Sequence, residues 1–293
     1  DFMNKTIKIG TRKSALAMAQ TYIAEKLIKD KFPYVNTEIV QMTTRGDKIL
    51  DKPLNKIGGK GVFVEEFENA LLNGKIDIAV HSGKDLPAQM AKGLTIGAVP
   101  KRADSRDVLV TLNGRKIAVG EKCVLGTGSL RRIEMARKIY INAVFKNLRG
   151  NVNTRLKKLS DGEYDGIILA CAGLERLGIS KKDGFEFEYF DEKKFVPAAC
   201  QAIIAIQCRE NDKETLEILS AINDKETFEC FSAERKLLSL LGADCHEAAG
   251  IFSTVEDENM EITAFYKNSP IKTKSFNKAD TEKELLSLAG ELK

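Results

Sequence analysis

The sequence predicts two α/β domains, each built on a mostly parallel sheet, followed by a small α+β domain. Three observations predict it. The chain has 293 residues, which at about 150 residues per domain is two domains or three. Strand-like and helix-like segments alternate in two successive runs, the pattern of parallel sheets covered by helices on both faces. The tail breaks the alternation, with helices ahead of a group of strands.

The first run begins with a short strand over residues 6–9, Thr-Ile-Lys-Ile, and a turn, Gly10-Thr11-Arg12-Lys13-Ser14. A helix over about 15–30 follows, with Leu16, Ala19, Ile23, Leu27 and Ile28 at helical spacing. Residues 37–43 read as a strand and 47–61, with Pro53 and several glycines, as a loop. Phe63, Phe67, Ala70 and Leu71 share one face of a helix over 62–73. Strands follow at 76–80 and 94–99, with a loop at 81–87. The second run repeats the scheme: strand 122–125, turn 126–129, helix 130–139; strand 143–148, turn 149–151, helix 152–159; strand 165–170 and a helix through Leu177. In the tail, 213–222 and 225–241 read as helices, with Gly242 as a stop. Residues 251–255, 261–266 and 271–276 read as strands, and a helix closes the chain after Asp280.

Composition narrows the function classes. Apolar residues are 43% and charged residues 30%, ordinary globular values. No apolar run approaches the ~20 residues of a membrane helix, and residues 1–5 carry no signal-peptide core, so a cytoplasmic protein without a membrane partner is expected. The net charge of +4 is too mild to imply nucleic acid. With aromatics at 7% and no Trp, base stacking has little to work with, so no nucleic-acid partner is expected. The 6 cysteines form no Cys-x-x-Cys pair, so neither a zinc site nor a disulfide framework is expected. His81 and His246 are the two histidines, which excludes a three-His metal site; no metal is expected.

Ligands of open parallel sheets bind beyond the carboxyl ends of the strands. The turns there hold Arg12, Lys13 and Ser14; Lys84 and Asp85; Thr127, Ser129, Arg131 and Arg132; Arg149, Asn151 and Arg155; and, after the strand at 165–170, Arg176. One such cation alone is a solvated surface charge. Five such turns in two domains read as a cleft for a polyanion, because Arg grips carboxylates with paired hydrogen bonds and helix N-termini offer free N–H groups. Gly126-x-Gly128 has Arg131 where a dinucleotide fingerprint needs Gly, and no Walker A pattern occurs. Asp85 stands out among these cations: it serves proton transfer or faces a developing cation, or else caps the loop or pairs with Lys84. Cys245, just beyond the helix stop and beside His246, is either an exposed nucleophile or a small buried hydrophobe.

The motifs carry a family resemblance. The stretches are Ile9 to Ala17, Thr44-Arg45-Gly46-Asp47, Gly58 to Phe63, Asp77 to Pro87, Gly126 to Arg132, Arg149 to Arg155, Ala170 to Arg176 and Val196-Pro197-Ala198. In that order they resemble the porphobilinogen deaminase family, also called hydroxymethylbilane synthase, over roughly residues 7–250. The resemblance implies two periplasmic-binding-protein-like α/β domains around a cleft plus a small C-terminal α+β domain. Their spans would be 1–99 plus 200–217, 100–199, and 218–293, the last carrying the cofactor cysteine.

It also implies a function: four porphobilinogen molecules joined head to tail, with loss of ammonia, into hydroxymethylbilane. The growing chain stands on a dipyrromethane cofactor held by a thioether, here to Cys245. Asp85 would be the catalytic carboxylate. Lys84, Thr127, Ser129, Arg131, Arg132, Arg149, Asn151 and Arg155 match cofactor-binding positions; Arg12, Ser14, Arg176, Gln201, Lys60 and Phe63 match substrate-binding ones. A monomer is expected. Two departures stand out. Cys200-Gln201-Ala202 replaces a usual Gly-Gln-Gly, so Cys200 is expected to crowd the hinge or the cofactor. His246-Glu247-Ala248 replaces a usual Gln-x-Pro, so a less rigid cysteine loop is expected. The alternative is a solute-binding-like protein for an organic polyanion, which leaves Asp85 and Cys245 without a use.

Overall fold

The computed structural model describes residues 6–44, 64–243 and 247–293. In chain order these form β1 (Thr6–Arg12), α1 (Ala15–Lys31), β2 (Asn36–Met42), α2 (Glu65–Leu72), β3 (Ile78–Ser82), β4 (Leu94–Ala98) and β5 (Asp107–Leu112). Next come β6 (Cys123–Gly126), α3 (Leu130–Arg137), β7 (Ala143–Lys146), α4 (Val152–Ser160), β8 (Gly166–Ala170), α5 (Cys171–Arg176) and β9 (Phe185–Tyr189). The chain ends with β10 (Ile204–Arg209), α6 (Lys213–Ser220), α7 (Lys225–Leu241), β11 (Ala249–Glu256), β12 (Asn259–Tyr266), β13 (Lys272–Asn277) and α8 (Thr281–Leu292). Among the described residues no helix is long and apolar enough to cross a membrane.

The chain divides into two compact units, residues 1–102 with 203–231, and residues 103–202 with 232–293. The first unit holds a five-stranded sheet in the order β2-β1-β3-β10-β4. β1 runs parallel to β2 and β3, while β10 is antiparallel to both its neighbours. Alternation along the strands feeds two cores. Ile7, Ile9, Ile78 and Val80 meet Ala24 and Ile28 of α1 on one face. Ala79 and Leu94 meet Phe67, Ala70 and Leu71 of α2 on the other. Gly10 faces Ala79 across the β1–β3 pair. A Cβ there would stand 2.5 Å from Ile76 Cδ1 and 3.3 Å from the ring of Phe67 of α2, so the close packing of these side chains on β1 favours glycine. Full burial of a side chain such as Phe67 contributes about 1.5–3 kcal/mol.

The second unit repeats the plan in the order β7-β6-β8-β5-β9, with β5 antiparallel to both neighbours. Val108, Val110, Ile167 and Leu169 face Leu156 and Leu159 of α4; Leu109 and Ile168 face Met135 and Ala136 of α3. The tail contributes the antiparallel meander β11-β12-β13, whose own core joins Ile251, Ile262 and Ala264 to Leu237 of α7 and Leu285 and Leu288 of α8. Phe265 alternates to the opposite side and enters the α3-side core, beside Phe195 and Val196.

Several expectations change. Gly10, Thr11 and Arg12 are strand rather than turn, and so are His81 and Ser82, because each extended segment runs on to the mouth of its sheet. β5, β9 and β10 were not among the expected strands. β5 and β10 are the antiparallel strands of the two sheets, and each follows directly on the chain's passage from one unit to the other.

Candidate active site

In the first unit the expected residues gather at the carboxyl ends of the adjacent parallel strands β1 and β3. β1 delivers half-buried Arg12. Ser14 then caps α1, its hydroxyl accepting the Ala17 N–H at 3.3 Å, a bond of the kind worth about 1 kcal/mol. β3 ends at Ser82, whose hydroxyl meets the side-chain amide of buried Gln20 at 3.1 and 3.2 Å. A single 3-10 turn, Gly83–Asp85, follows. Gly83 and Leu86 are buried, and the Gly83 N–H donates to the Ile203 carbonyl at 2.8 Å. Lys84 is half-buried and Asp85 exposed. The turn is bedded on both sides while the carboxylate stays accessible.

Beneath the turn lies a cluster that the motif reading missed. His81 is buried, 2.9 Å from Gln207 Oε1, with its ring edge-on to Phe67. Gln207 Nε2 donates to Glu68 Oε1 at 3.0 Å. Burial holds the His81 imidazole down at about 4, against the opposing bond to Gln207, so the ring is neutral at pH 7.

In the second unit β6 ends at Gly126, and the turn after it is fixed by its own hydroxyls. The Thr127 N–H donates to the Lys146 carbonyl at 3.0 Å, and buried Thr127 Oγ1 accepts from the Ser129 N–H at 3.1 Å. Ser129 caps α3 by accepting the Arg132 N–H. Arg131 and Arg132, expected among the mouth cations, turn inward: they are 4% and 7% exposed. Both clasp fully buried Asp107 at the head of β5. Arg131 reaches it at 2.6 and 3.2 Å and Arg132 Nε at 2.9 Å; further N–H groups donate to the Val196 and Ile168 carbonyls. Burial pulls the Arg132 guanidinium below its ordinary proton affinity, against the pull of Asp107. Two buried cations share one carboxylate here, with little water to screen them. The sequence gives no local sign of this, because Asp107 lies 24 and 25 positions from its partners.

After β7, Asn151 caps α4, accepting the Thr154 N–H at 2.9 Å, and Arg155 Nε donates to the Gly150 carbonyl at 2.7 Å. Arg149 and Arg155 are half-buried. Arg176, in the last turn of α5, donates to the Ala202 carbonyl at 2.7 Å, and burial draws its guanidinium down to about 10. Gln201 is buried, and its amide donates to the Ser105 carbonyl at 2.8 Å. The residues on either side of Gln201 have left-handed backbones, Cys200 at φ 62° and Ala202 at φ 68°. These are the two positions read above as departures from glycine. The Cys200 N–H donates to Glu234 of α7 at 2.6 Å; fully buried Glu234 also accepts the Ser253 N–H and hydroxyl at 2.8 Å each.

Cys245, with His246, lies outside the described residues, as do Lys60, Phe63 and the loop 47–61. The flanks of the cysteine are described. Gly242, at φ 67°, ends α7, and the Ala243 N–H donates to the Leu238 carbonyl. Glu247 accepts the Tyr266 hydroxyl at 2.9 Å and pairs with Lys267 at 3.0 Å.

A family model described as porphobilinogen deaminase, dipyromethane cofactor binding domain, matches residues 7–217. The porphobilinogen deaminase of Alkaliphilus metalliredigens is 42% identical over 266 residues, 90% of this chain and 83% of that protein. That of Bacillus mycoides is 44% identical over 264 residues, 89% and 84% of the two chains. That of Brevibacillus brevis is 39% identical over 283 residues, 96% and 90%. Among solved structures, the VFT2 domain of Bordetella pertussis BvgS (a double mutant) is similar at a TM-score of 0.45 and 15% identity, covering 79% of this chain and 92% of that one.

Proposed function

The chain belongs to the porphobilinogen deaminase family, and from that membership we propose how its own residues divide the reaction. The protein is a transferase of tetrapyrrole synthesis. It condenses four porphobilinogen molecules head to tail, releasing ammonia, on a dipyrromethane cofactor, and gives hydroxymethylbilane. A binding module for an organic polyanion is set aside, since relatives matched along most of this chain bear the enzyme's name.

One observation carries the assignment of residues: two buried guanidinium groups share the single carboxylate of Asp107. Each pyrrole unit of substrate and cofactor bears two carboxylates, which a pair of adjacent guanidinium groups can meet with charge-assisted hydrogen bonds. The residues therefore fit a dipyrromethane, and Arg131 and Arg132 hold its carboxylates. Thr127, Ser129, Asn151, Lys84, Arg149 and Arg155 add donors to the same group, and Cys245 is its thioether attachment. When bound, the cofactor supplies the nucleophilic pyrrole carbon to which the first substrate unit is joined.

Arg12, Ser14 and Arg176 bind substrate carboxylates, with Lys60 and Phe63 as further contacts. Gln201, whose buried amide donates to the Ser105 carbonyl, is a further substrate contact. Asp85 hands a proton to the departing amine, and as a carboxylate it stabilises positive charge on the pyrrole left electron-poor. Its turn is fixed by buried neighbours, which keeps the carboxylate in place through successive additions. Residues 233–292 share an apolar core, and the part of the chain from 218 to 293 serves as the third, cofactor-bearing domain. The enzyme works as a monomer in the cytoplasm.

Intact mass tests the attachment. Protein purified from cells that make porphobilinogen carries a dipyrromethane addition on Cys245, and Cys245→Ser lacks it. Wild-type protein of unmodified mass would overturn the assignment of Cys245.

A further inference from the structure

We propose that Glu68 and Gln207 are positioning residues of the reaction: together with His81 they tie down both ends of the loop that carries Asp85. The inference rests on the reading of Asp85 as the reacting carboxylate. Three hydrogen bonds carry it. Glu68 Oε1 accepts both the Ala91 N–H at 3.1 Å and Gln207 Nε2 at 3.0 Å; Gln207 Oε1 meets His81 Nε2 at 2.9 Å.

The polarity of the chain follows from chemistry. A carboxylate only accepts, so the Gln207 amide must turn its NH2 to Glu68 and its oxygen to His81. That oxygen also only accepts, so His81 carries its proton on Nε2. Every partner is thereby defined, and the side chains come from three elements: α2, β10 and β3.

The consequence lies in where the ends fall. His81 stands four positions before Asp85 and Ala91 six after it. The segment between leaves the sheet at Ser82 and is held at its start by the Gly83 bond to Ile203. Its far end has the bond to Glu68, and that carboxylate is linked back through Gln207 to the strand where the segment begins. One relay thus fixes the span of the loop. A carboxylate that must meet each successive pyrrole needs such a fixed span, because small misplacement of a reacting group costs rate steeply.

Hydrogen–deuterium exchange and steady-state kinetics on the cofactor-loaded enzyme test it. In Glu68→Ala, exchange should quicken in peptides covering 83–93 and stay unchanged on α1 and β1. Its kcat should fall ten- to a hundredfold, with KM for porphobilinogen within threefold. Glu68→Gln keeps an oxygen for both donors and should restore both readouts to within threefold of wild type. Gln207→Met, read the same way, serves if Glu68→Ala does not fold. Wild-type exchange over 83–93 would overturn the proposal. So would faster exchange with unchanged kcat, or a loss confined to KM. Asp85→Asn separates the premise from the inference: wild-type turnover in that variant removes the role of Asp85, while the exchange result still reports on the tether.

Discussion

Arg131 clasps Asp107 through two hydrogen bonds of 2.6 and 3.2 Å, in a place where the carboxylate is wholly shielded from water. Arg132 takes the same carboxylate from the next position of α3. Replacing the shared carboxylate by a neutral amide would leave two buried cations facing each other without the negative charge they share, and would turn an NH2 donor toward them. Asp107→Asn should therefore cost about 3–5 kcal/mol of folding stability, the loss seen when one partner of a buried ion pair is deleted. Urea denaturation followed by circular dichroism measures it. A loss below about 1 kcal/mol would mean that the backbone carbonyls of Val196 and Ile168 suffice for the two guanidinium groups.

Asp85 presents the opposite case, an exposed acid on a fixed turn. Its carboxylate is not part of the packing, so Asp85→Asn should keep the fold and melting behaviour of the parent while losing most turnover. Activity within threefold of wild type would refute the role assigned to it. The circular dichroism spectrum serves as the control for folding.

How far the sequence could be read follows from which signals are local. The parallel strands with their helices were legible because each strand–helix pair lies within one short stretch, as with β7 and α4. β5 and β10 were not, because neither belongs to a strand–helix–strand repeat; burial on both faces does not by itself hide a strand, since β3 and β8 are as buried and were legible. The hydroxyl and amide residues expected at the mouths are there, but Ser14, Ser129 and Asn151 also cap helices, a role set by the turn each follows. The Arg131–Asp107–Arg132 cluster and the Glu68–Gln207–His81 chain join residues far apart in sequence. Both needed the topology before they could be seen.

Cys200 and Ala202 hold left-handed backbones where a Cβ is unwelcome. The strain is of order 1–2 kcal/mol per residue, partly offset by the roughly 0.5–1 kcal/mol that glycine loses in chain entropy. Ala202→Gly should accordingly raise stability by about 0.5–1 kcal/mol and the melting temperature by roughly 2 °C. Scanning calorimetry checks the direction. A lower melting temperature would show that the bonds to the Ala202 carbonyl from Arg176 and Ala103 already hold the backbone without strain.

Arg149 and Arg155 are half-buried, so water and salt would reach the pairs proposed between them and substrate or cofactor carboxylates. Arg149→Ala should lower kcat/KM roughly ten- to a hundredfold, the equivalent of one charge-assisted hydrogen bond at about 1.5–3 kcal/mol. For the parent enzyme, KM should climb as sodium chloride is raised through the range where the Debye length shrinks to about 8 Å and below. A flat KM across that range would mean these carboxylates are held by something other than the half-buried cations.

His81 makes the protein's stability depend on pH in a window that can be named in advance. Burial holds its folded-state proton affinity at about 4, while the unfolded chain has the ordinary value of 6.5. Above 6.5 the ring is neutral in both states and adds no slope. Between 6.5 and 4 the unfolded chain takes up a proton that the folded one refuses, so acidification favours unfolding. Across that window the loss amounts to about 3 kcal/mol; below 4 both states are protonated and the slope from this group ends. His81→Gln removes the group, so its stability curve should be flatter than that of the parent between pH 6.5 and 4, whatever its stability at pH 7. Urea midpoints taken at half-unit steps of pH give both curves. Parallel curves would show that His81 takes up its proton in the folded protein as readily as in the unfolded chain, and with it that the imidazole is not held neutral by the sheet around it.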